Sequence, residues 1–224
     1  MRLIGVDEET VRIEAGGVIL EGALGVPSNA RGLVLFAHGS GSSRHSPRNN
    51  FVAKTLRNAG LATLLFDLLT RDEDLDYDTR FDITLLTERL VSATRWALDE
   101  DSVKGLPLGY FGASTGAAAA INASVIMGPV VGAVVSRGGR PDMSADYLSR
   151  VAAPTLLIVG GADGVVVDLN KAAAARIKAE KEVAIVPGAT HLFEETGALE
   201  EVSKLATAWF LKHLGAKAKA GVEK

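Results

Sequence analysis

Short apolar segments recur along this chain, and segments compatible with a helix separate most of them. The apolar segments lie at residues 33–37, 61–66, 108–111, 130–135, 155–159 and 183–186. Strands that alternate with helices predict a parallel β-sheet with helices on both faces, because each helix carries the chain back to begin the next parallel strand. Helices are predicted near residues 50–59, 82–98, 115–127, 168–180 and 197–214, with a short one near 142–150. Residues 10–26 alternate apolar and polar side chains around Gly16 and Gly17, which predicts an antiparallel hairpin before the sheet.

Length and composition limit what this fold can be. A chain of 224 residues, 47% of them hydrophobic, can bury one sizeable core. We therefore predict a single α/β domain over residues 1–214 and a flexible tail over residues 215–224. The formal net charge of −3 is spread along the chain, which disfavours a nucleic-acid partner. Because no cysteine is present, a disulfide, a thiolate nucleophile and a cysteine metal site are excluded.

Neither of two segments that could suggest a membrane or secretory protein has the required pattern. Residues 1–9 are polar and acidic and lack the apolar core of a signal peptide. The apolar stretch from Val125 to Val135 is interrupted by Gly128 and Pro129, well short of a membrane span. The sequence thus predicts a soluble cytoplasmic protein that does not bind membranes, and it leaves the oligomeric state open.

The pattern with the most specific chemistry is Gly112-Ala113-Ser114-Thr115-Gly116. It follows a predicted strand and precedes an alanine-rich predicted helix, which is typical of the turn that presents a nucleophilic serine. Glycine two residues before and after the serine keeps the strand and helix backbones from colliding, and the helix N-terminus favours developing negative charge. We therefore predict Ser114 as a nucleophile. The alternative is a glycine-rich turn with an incidental serine.

A nucleophilic serine needs a base, and the chain contains 4 histidines. His213 falls in the last turn of the final predicted helix, where an imidazole commonly caps free carbonyls. His38 and His45 lie in the loop region after an early strand and could line the site. His191 directly follows the last predicted strand, at the sheet edge where ligands bind in open α/β folds. We predict His191 as the general base.

The acid that orients the base is expected between Ser114 and His191 in chain order. Asp163 lies just past the strand at 155–159, whereas Asp168 is placed by the pattern at the start of the next helix. An aspartate at a helix start is more often a cap than a catalyst. Asp163 is therefore preferred, with Asp168 as the alternative.

The loop His38-Gly39-Ser40-Gly41-Ser42-Ser43 can turn backbone amides toward a substrate oxyanion. We predict the N–H groups of Ser40 and Thr115 as the two oxyanion donors. The alternative is an anion nest for phosphate. That alternative is disfavoured because the lysine of a P-loop is absent.

Arginines near predicted strand ends suggest an anionic substrate. Arg137 and Arg140 lie in the segment Ser136-Arg137-Gly138-Gly139-Arg140, which follows the strand at 130–135. A guanidinium matches a carboxylate with two parallel hydrogen bonds. Candidate substrate-binding residues are Arg137, Arg140 and His45, and the positive rim could also include Arg44 and Arg48. The alternative is that Arg137 or Arg140 pairs with Asp67 or Asp142 to hold its own loop.

Taken in order, these motifs resemble the α/β-hydrolase superfamily, and most closely its dienelactone-hydrolase-like branch, over residues 10–214. The motifs are the His38-Gly39 loop, the turn at 112–116, Gly160-Gly161-x-Asp163 and Gly188-Ala189-Thr190-His191. The resemblance implies hydrolysis of a small-molecule ester or lactone through an acyl-enzyme, without metal or cofactor. Dienelactone hydrolases proper carry cysteine where this chain has Ser114, so their substrate is not carried over. The short connection 136–151 implies that the lid of larger relatives is missing.

Two other functions remain open at this point. The same serine, histidine and aspartate could serve a thioesterase, an amidase or an acyltransferase. A protein of this fold could also bind or sense a ligand without turnover, because fold alone does not establish function.

Overall fold

The computed structural model describes residues 8–215. Eight strands form one sheet in the order β1-β2-β4-β3-β5-β6-β7-β8. The first two form the predicted hairpin and run antiparallel, and the other strands are parallel to one another. The strands are β1 Glu8–Ala15, β2 Val18–Gly25, β3 Leu33–Ala37, β4 Ala62–Phe66, β5 Leu108–Ala113, β6 Val131–Arg137, β7 Thr155–Gly160 and β8 Lys181–Val186.

Helices cover both faces of the sheet, as predicted. They are α1 Pro47–Asn58, α2 Ile83–Asp99, α3 Thr115–Met127, α4 Gly164–Arg176 and α5 Ala198–Leu214. Helices α1 and α5 pack on one face, and α2, α3 and α4 on the other. The alanines of α3 are completely buried, so this helix lies close to the sheet.

Three predicted boundaries differ from the structure in ways that affect the site. Helix α4 begins at Gly164, so Asp168 is an exposed residue within the helix and does not open it. Strand β6 continues through Arg137, which therefore lies in the sheet and not in the loop after it. The predicted short helix near 142–150 consists of two 3₁₀ turns, Pro141–Ser144 and Leu148–Arg150.

No sizeable lid covers the carboxyl edge of the parallel strands in residues 8–215, because only these short turns lie between β6 and β7. In the same residues, every helix is too short or too polar to cross a membrane. The predicted tail lies outside the described residues except for Gly215.

Candidate active site

Residues 112–116, here called the serine turn, have the strained backbone that a nucleophilic serine requires. Ser114 has φ 51° and ψ −119°, a conformation that non-glycine residues rarely adopt. A Cβ at Gly112 would lie 2.5 Å from the Cα of Ala117, and one at Gly116 would collide with the carbonyl oxygens of Ala37 and His38. Both flanking positions thus require glycine so that α3 can start close to β5 and β3.

His191 and Asp163 meet across the loops that follow β8 and β7. The Nδ1–H group of His191 donates to the Asp163 Oδ2 atom at 2.8 Å. The Asp163 side chain is 19% exposed and the His191 side chain 39%, so the pair is open to a substrate. This contact leaves the Nε2 atom of the imidazole free to act as a base.

Backbone contacts bring these two loops together. Residues 187–195, which follow β8 and include His191, are here called the histidine loop. The Ala162 N–H donates to the Ala189 carbonyl at 2.9 Å, and the Gly161 N–H donates to the Val186 carbonyl at 2.8 Å. A Cβ at Gly160 would collide with the Ala189 carbonyl, so glycine is required at this crossing.

The serine turn and the histidine loop meet at Gly138, directly after β6. The Ser114 N–H donates to the Arg137 carbonyl at 3.2 Å. A Cβ at Gly138 would lie 3.6 Å from the His191 Cε1 atom. No hydrogen bond joins the Ser114 hydroxyl to His191 in the described residues.

The two predicted oxyanion donors lie together, but one of them is already engaged. In the glycine–serine loop, residues 38–43, the Ser40 N–H donates to the Thr115 Oγ1 atom at 2.9 Å. A Cβ at Gly39 would lie 3.1 Å from the Ser114 Cβ atom, so this loop passes directly over the serine turn. Ser40 and Thr115 are thus neighbours, as a pair of oxyanion donors would have to be. The hydrogen bond from the Ser40 N–H to the Thr115 side chain was not predicted from the sequence.

His38 holds the glycine–serine loop in place. Its Nε2 atom accepts the Leu68 N–H at 3.0 Å, so the proton is on Nδ1, which donates to the Gly39 carbonyl at 3.0 Å. Burial lowers the pKa of His38, which keeps the ring neutral. His213 packs on Trp209, with ring centroids 4.5 Å apart, on the last helix. Neither histidine is placed to serve Ser114.

A cavity of about 390 Å³ lies beside the glycine–serine loop, between β2 and the segment after β4. Its wall is mainly polar and contains the side chains of Glu21, Ser42, Ser43, Arg44, His45, Asp67, Thr70, Arg71 and Asp74. Arg71 is exposed and forms no ion pair within residues 8–215. No sequence pattern distinguished Arg71, although it follows β4 at the same sheet edge as Ser114 follows β5.

The predicted rim arginines have different surroundings. Arg44 pairs with Asp67 and Glu21, Arg48 with Glu194 at 2.8 Å, and Arg140 with Asp142 at 2.7 Å. The predicted loop-holding pair is therefore formed by Arg140. The guanidinium of Arg137 pairs with neither Asp67 nor Asp142 and lies 5.7 Å from the centroid of the Phe193 ring. Arg137 is 7% exposed and packs on the face that carries α1 and α5, so it does not line the cavity.

The model of the dienelactone hydrolase family matches residues 20–214 of this chain. The chain belongs to the dienelactone hydrolase family. This membership supports hydrolase activity and confirms the resemblance inferred from the motifs.

Among solved structures, a dienelactone hydrolase from Anabaena variabilis is 52% identical and has a TM-score of 0.90. The match covers 93% of this chain and 98% of that chain. The esterase Est1E from Butyrivibrio proteoclasticus is 17% identical with a TM-score of 0.79, covering 91% of this chain and 98% of that one. At that identity the second similarity shows the fold alone.

Curated relatives from two strains of Mycobacterium tuberculosis are 56% identical to this chain over 207 residues. Their provisional name is phosphoribosyl transferase. The match covers 92% of this chain but 47% of each relative, so the chain spans about half the length of these proteins.

Proposed function

We propose that this protein hydrolyses a carboxylic ester or lactone of a small molecule, with Ser114 as nucleophile, His191 as general base and Asp163 as the orienting acid. The observation that carries the proposal is the hydrogen bond between His191 and Asp163 beside a serine in a strained strand-to-helix turn. This combination supports acyl transfer because each residue type has one role in that reaction.

In the proposed reaction, Ser114 Oγ attacks the carbonyl carbon of the substrate while His191 Nε2 takes the hydroxyl proton. Asp163 holds the imidazole in the tautomer that presents Nε2 and stabilises the imidazolium. The imidazolium then gives its proton to the leaving alkoxide, and an acyl-enzyme remains. His191 deprotonates a water molecule that attacks the acyl carbon, and Ser114 regains its proton as the carboxylic acid leaves.

The tetrahedral intermediate carries its negative charge at the N-terminus of α3. The Thr115 N–H is the first proposed oxyanion donor, and the positive end of the helix dipole adds to it. The Ser40 N–H is the second; it now donates to the Thr115 Oγ1 atom, a contact that holds its loop, and it has to turn from there to the oxyanion. Both donors are backbone groups that need no charged side chain.

We further propose that the remainder of the substrate extends into the cavity beside the glycine–serine loop, and that the preferred substrates are anionic. Arg71 supports this extension because it is the cavity arginine that the described residues leave unpaired. His45 lines the same cavity and is exposed, which fits its predicted contribution. Arg140 already bonds to Asp142 and is a weaker candidate.

The alternatives differ in the leaving group, in the acceptor of the acyl group or in turnover. A thioesterase, an amidase or an acyltransferase would use the same three residues. The transferase name of the mycobacterial relatives describes chains of about twice this length, and the site geometry here favours acyl chemistry. A sensor protein would bind an acyl compound without turning it over.

Labelling by a fluorophosphonate tests the nucleophile. We expect stoichiometric labelling of the wild type on Ser114 and none of Ser114→Ala, followed by turnover of matched ester, thioester and amide probes. Fastest turnover of the thioester or the amide would replace the ester assignment. Folded wild type that is neither labelled nor active on any probe would favour the sensor.

A further inference from the structure

We infer that Arg137 is a positioning residue: its buried guanidinium holds the histidine loop against the serine turn through the ring of Phe193, without contact to the substrate. The inference rests on the proposed function, because it concerns the alignment of His191 with Ser114.

Within residues 8–215, the guanidinium of Arg137 has no carboxylate partner. The residue is 7% exposed, and its Nε atom is buried without a hydrogen bond in the described part of the chain. Burial and the nearby charge of Arg48 lower the pKa of Arg137 to about 10, so it remains a cation at neutral pH. A buried cation without a counterion is costly and needs a specific compensating contact.

The ring of Phe193 provides that contact. The Arg137 Cζ atom lies 5.7 Å from the ring centroid, within the range of a cation–π interaction. Such an interaction is strongest where water is excluded, and Phe193 is 1% exposed. The guanidinium of Arg137 therefore contacts a ring that belongs to the same loop as His191.

Phe193 needs an external anchor because its backbone is strained. Its φ is 56°, and Ser114 is the other non-glycine residue with a positive φ among residues 8–215. A bulky residue in this region persists only when its surroundings hold it. The Phe193 N–H donates to the Thr190 carbonyl at 3.2 Å, so the anchored ring also closes the turn that carries His191.

Arg137 also connects this loop to the nucleophile. Its carbonyl accepts the Ser114 N–H, and the next residue, Gly138, faces both the His191 carbonyl and the Phe193 ring. A Cβ at Gly138 would lie 3.2 Å from that carbonyl oxygen and 3.4 Å from the ring. One residue at the end of β6 thus holds the backbone of Ser114 and, through its side chain, the loop of the base.

A second arginine secures the adjacent residue of the loop. Arg48 of α1 bonds to Glu194 at 2.8 Å, in a more exposed position than the Arg137 contact. Because exposed ion pairs contribute little, we assign the main positioning role to Arg137.

The test replaces Arg137 with Met, which keeps an unbranched apolar side chain and removes the charge, and with Lys, which keeps a cation. Arg150→Met is the matched control, because Arg150 forms a similar contact with Tyr147, at 5.4 Å, away from the site. We expect Arg137→Met to lower kcat and the rate of fluorophosphonate labelling by about 10–100-fold, the scale of small misalignments of catalytic groups. We expect an unchanged KM, partial rescue in Arg137→Lys, and no effect of Arg150→Met.

Hydrogen exchange supplies a measurement that does not depend on activity. We expect the amides of residues 190–195 to exchange faster in Arg137→Met and in Phe193→Leu than in the wild type, with no added effect in the double variant. Unchanged exchange and unchanged kcat in Arg137→Met would overturn the inference. So would a raised KM for anionic esters at unchanged kcat, which would make Arg137 a substrate contact. If the wild type is inactive and unlabelled, the proposed function fails, and the exchange data still decide whether Arg137 holds the loop.

Discussion

The serine turn and the arginines around it occupy the same edge of the sheet, but different forces position them. In the serine turn, the backbones of β5, α3 and β3 approach so closely that residues 112 and 116 must be glycine. The arginines sit where partners are available: Arg44, Arg48 and Arg140 pair with carboxylates, Arg137 packs on a ring and Arg71 stays exposed. Steric exclusion allows one backbone geometry in the serine turn, whereas an arginine side chain can pair with any of several nearby groups.

This difference predicts where substitutions will have large effects. A change in the serine turn alters the reacting atoms or the donors that point at them. A change in an arginine alters binding or alignment, and neighbouring charges can compensate part of the loss.

Removal of the proposed nucleophile should have the largest effect. We expect Ser114→Ala to fold normally and to lower turnover by roughly 10⁴–10⁶-fold, because a triad residue acts as part of one unit. His191→Ala should lose a similar factor for the same reason. Ester kinetics checks both variants, with circular dichroism as the control for folding. A near-normal rate in Ser114→Ala would remove the serine turn from the catalytic machinery.

The two aspartates near the start of α4 should separate clearly. Asp163→Asn should lower turnover by up to ~10⁴-fold, because the amide favours the wrong tautomer of His191. Asp168→Asn, an exposed position within α4, should change turnover little and serves as the matched control. The reverse order of the two variants in ester kinetics would transfer the acid role to Asp168.

Thr115 tests whether a side chain supports the oxyanion donors. Thr115→Val removes the hydroxyl that accepts the Ser40 N–H but keeps the shape of the side chain. Because the Ser40 N–H itself is kept, we expect kcat to fall by less than the ~10²–10³-fold of one lost oxyanion donor, through a less firmly positioned loop, with a smaller change in KM. Thr115→Ser keeps the hydroxyl and should retain most activity. Equal kcat in Thr115→Val and the wild type would show that the Ser40 amide needs no such support.

A substitution of Arg71 tests whether a charged side chain contributes to substrate binding. We expect Arg71→Gln to lower kcat/KM for a carboxylate-bearing ester by about 10–100-fold, the equivalent of one hydrogen bond between charged groups. The matched neutral ester should be little affected. Arg31→Gln, at an arginine that bonds to the Ala59 carbonyl, is the control. Equal losses on both esters would assign Arg71 a structural role.

The titration of His38 should produce the smallest effect, a change of stability with pH. Burial lowers the pKa of His38 below its usual 6.5. Just below pH 6.5, the imidazole is therefore protonated in the unfolded chain but still neutral in the folded chain. The free energy of unfolding should therefore decrease as the pH falls below about 6.5, by at most about 1.4 kcal/mol per pH unit for one proton. Denaturant titrations of the wild type and His38→Gln at pH 7.5, 6.5 and 5.5 measure this. Parallel pH curves would contradict it.

Much of the site was accessible from the sequence because the clues were local. A tight strand-to-helix turn leaves no space for side chains at positions 112 and 116, so the glycines there indicated the turn. Asp163 and His191 each come directly after a predicted strand. The start of α4 was misplaced by four residues because the turn after β7 is tight, and the predicted helix pattern did not mark Gly164. The prediction of the triad itself stays open until the variants above are measured.

Chain order and backbone sterics thus determined the alternation of strands and helices, the glycines of the serine turn and the sheet edge at which Ser114, Asp163 and His191 are found. Only the tertiary structure decided which side chains become partners. Strand β6 ends at Arg137, two residues later than predicted, and this places the Arg137 side chain against Phe193. The glycine–serine loop crosses the serine turn, which brings the Thr115 hydroxyl to the Ser40 amide. These contacts join residues far apart in sequence, and a side chain finds its partner through burial and charge that exist only after the chain has folded.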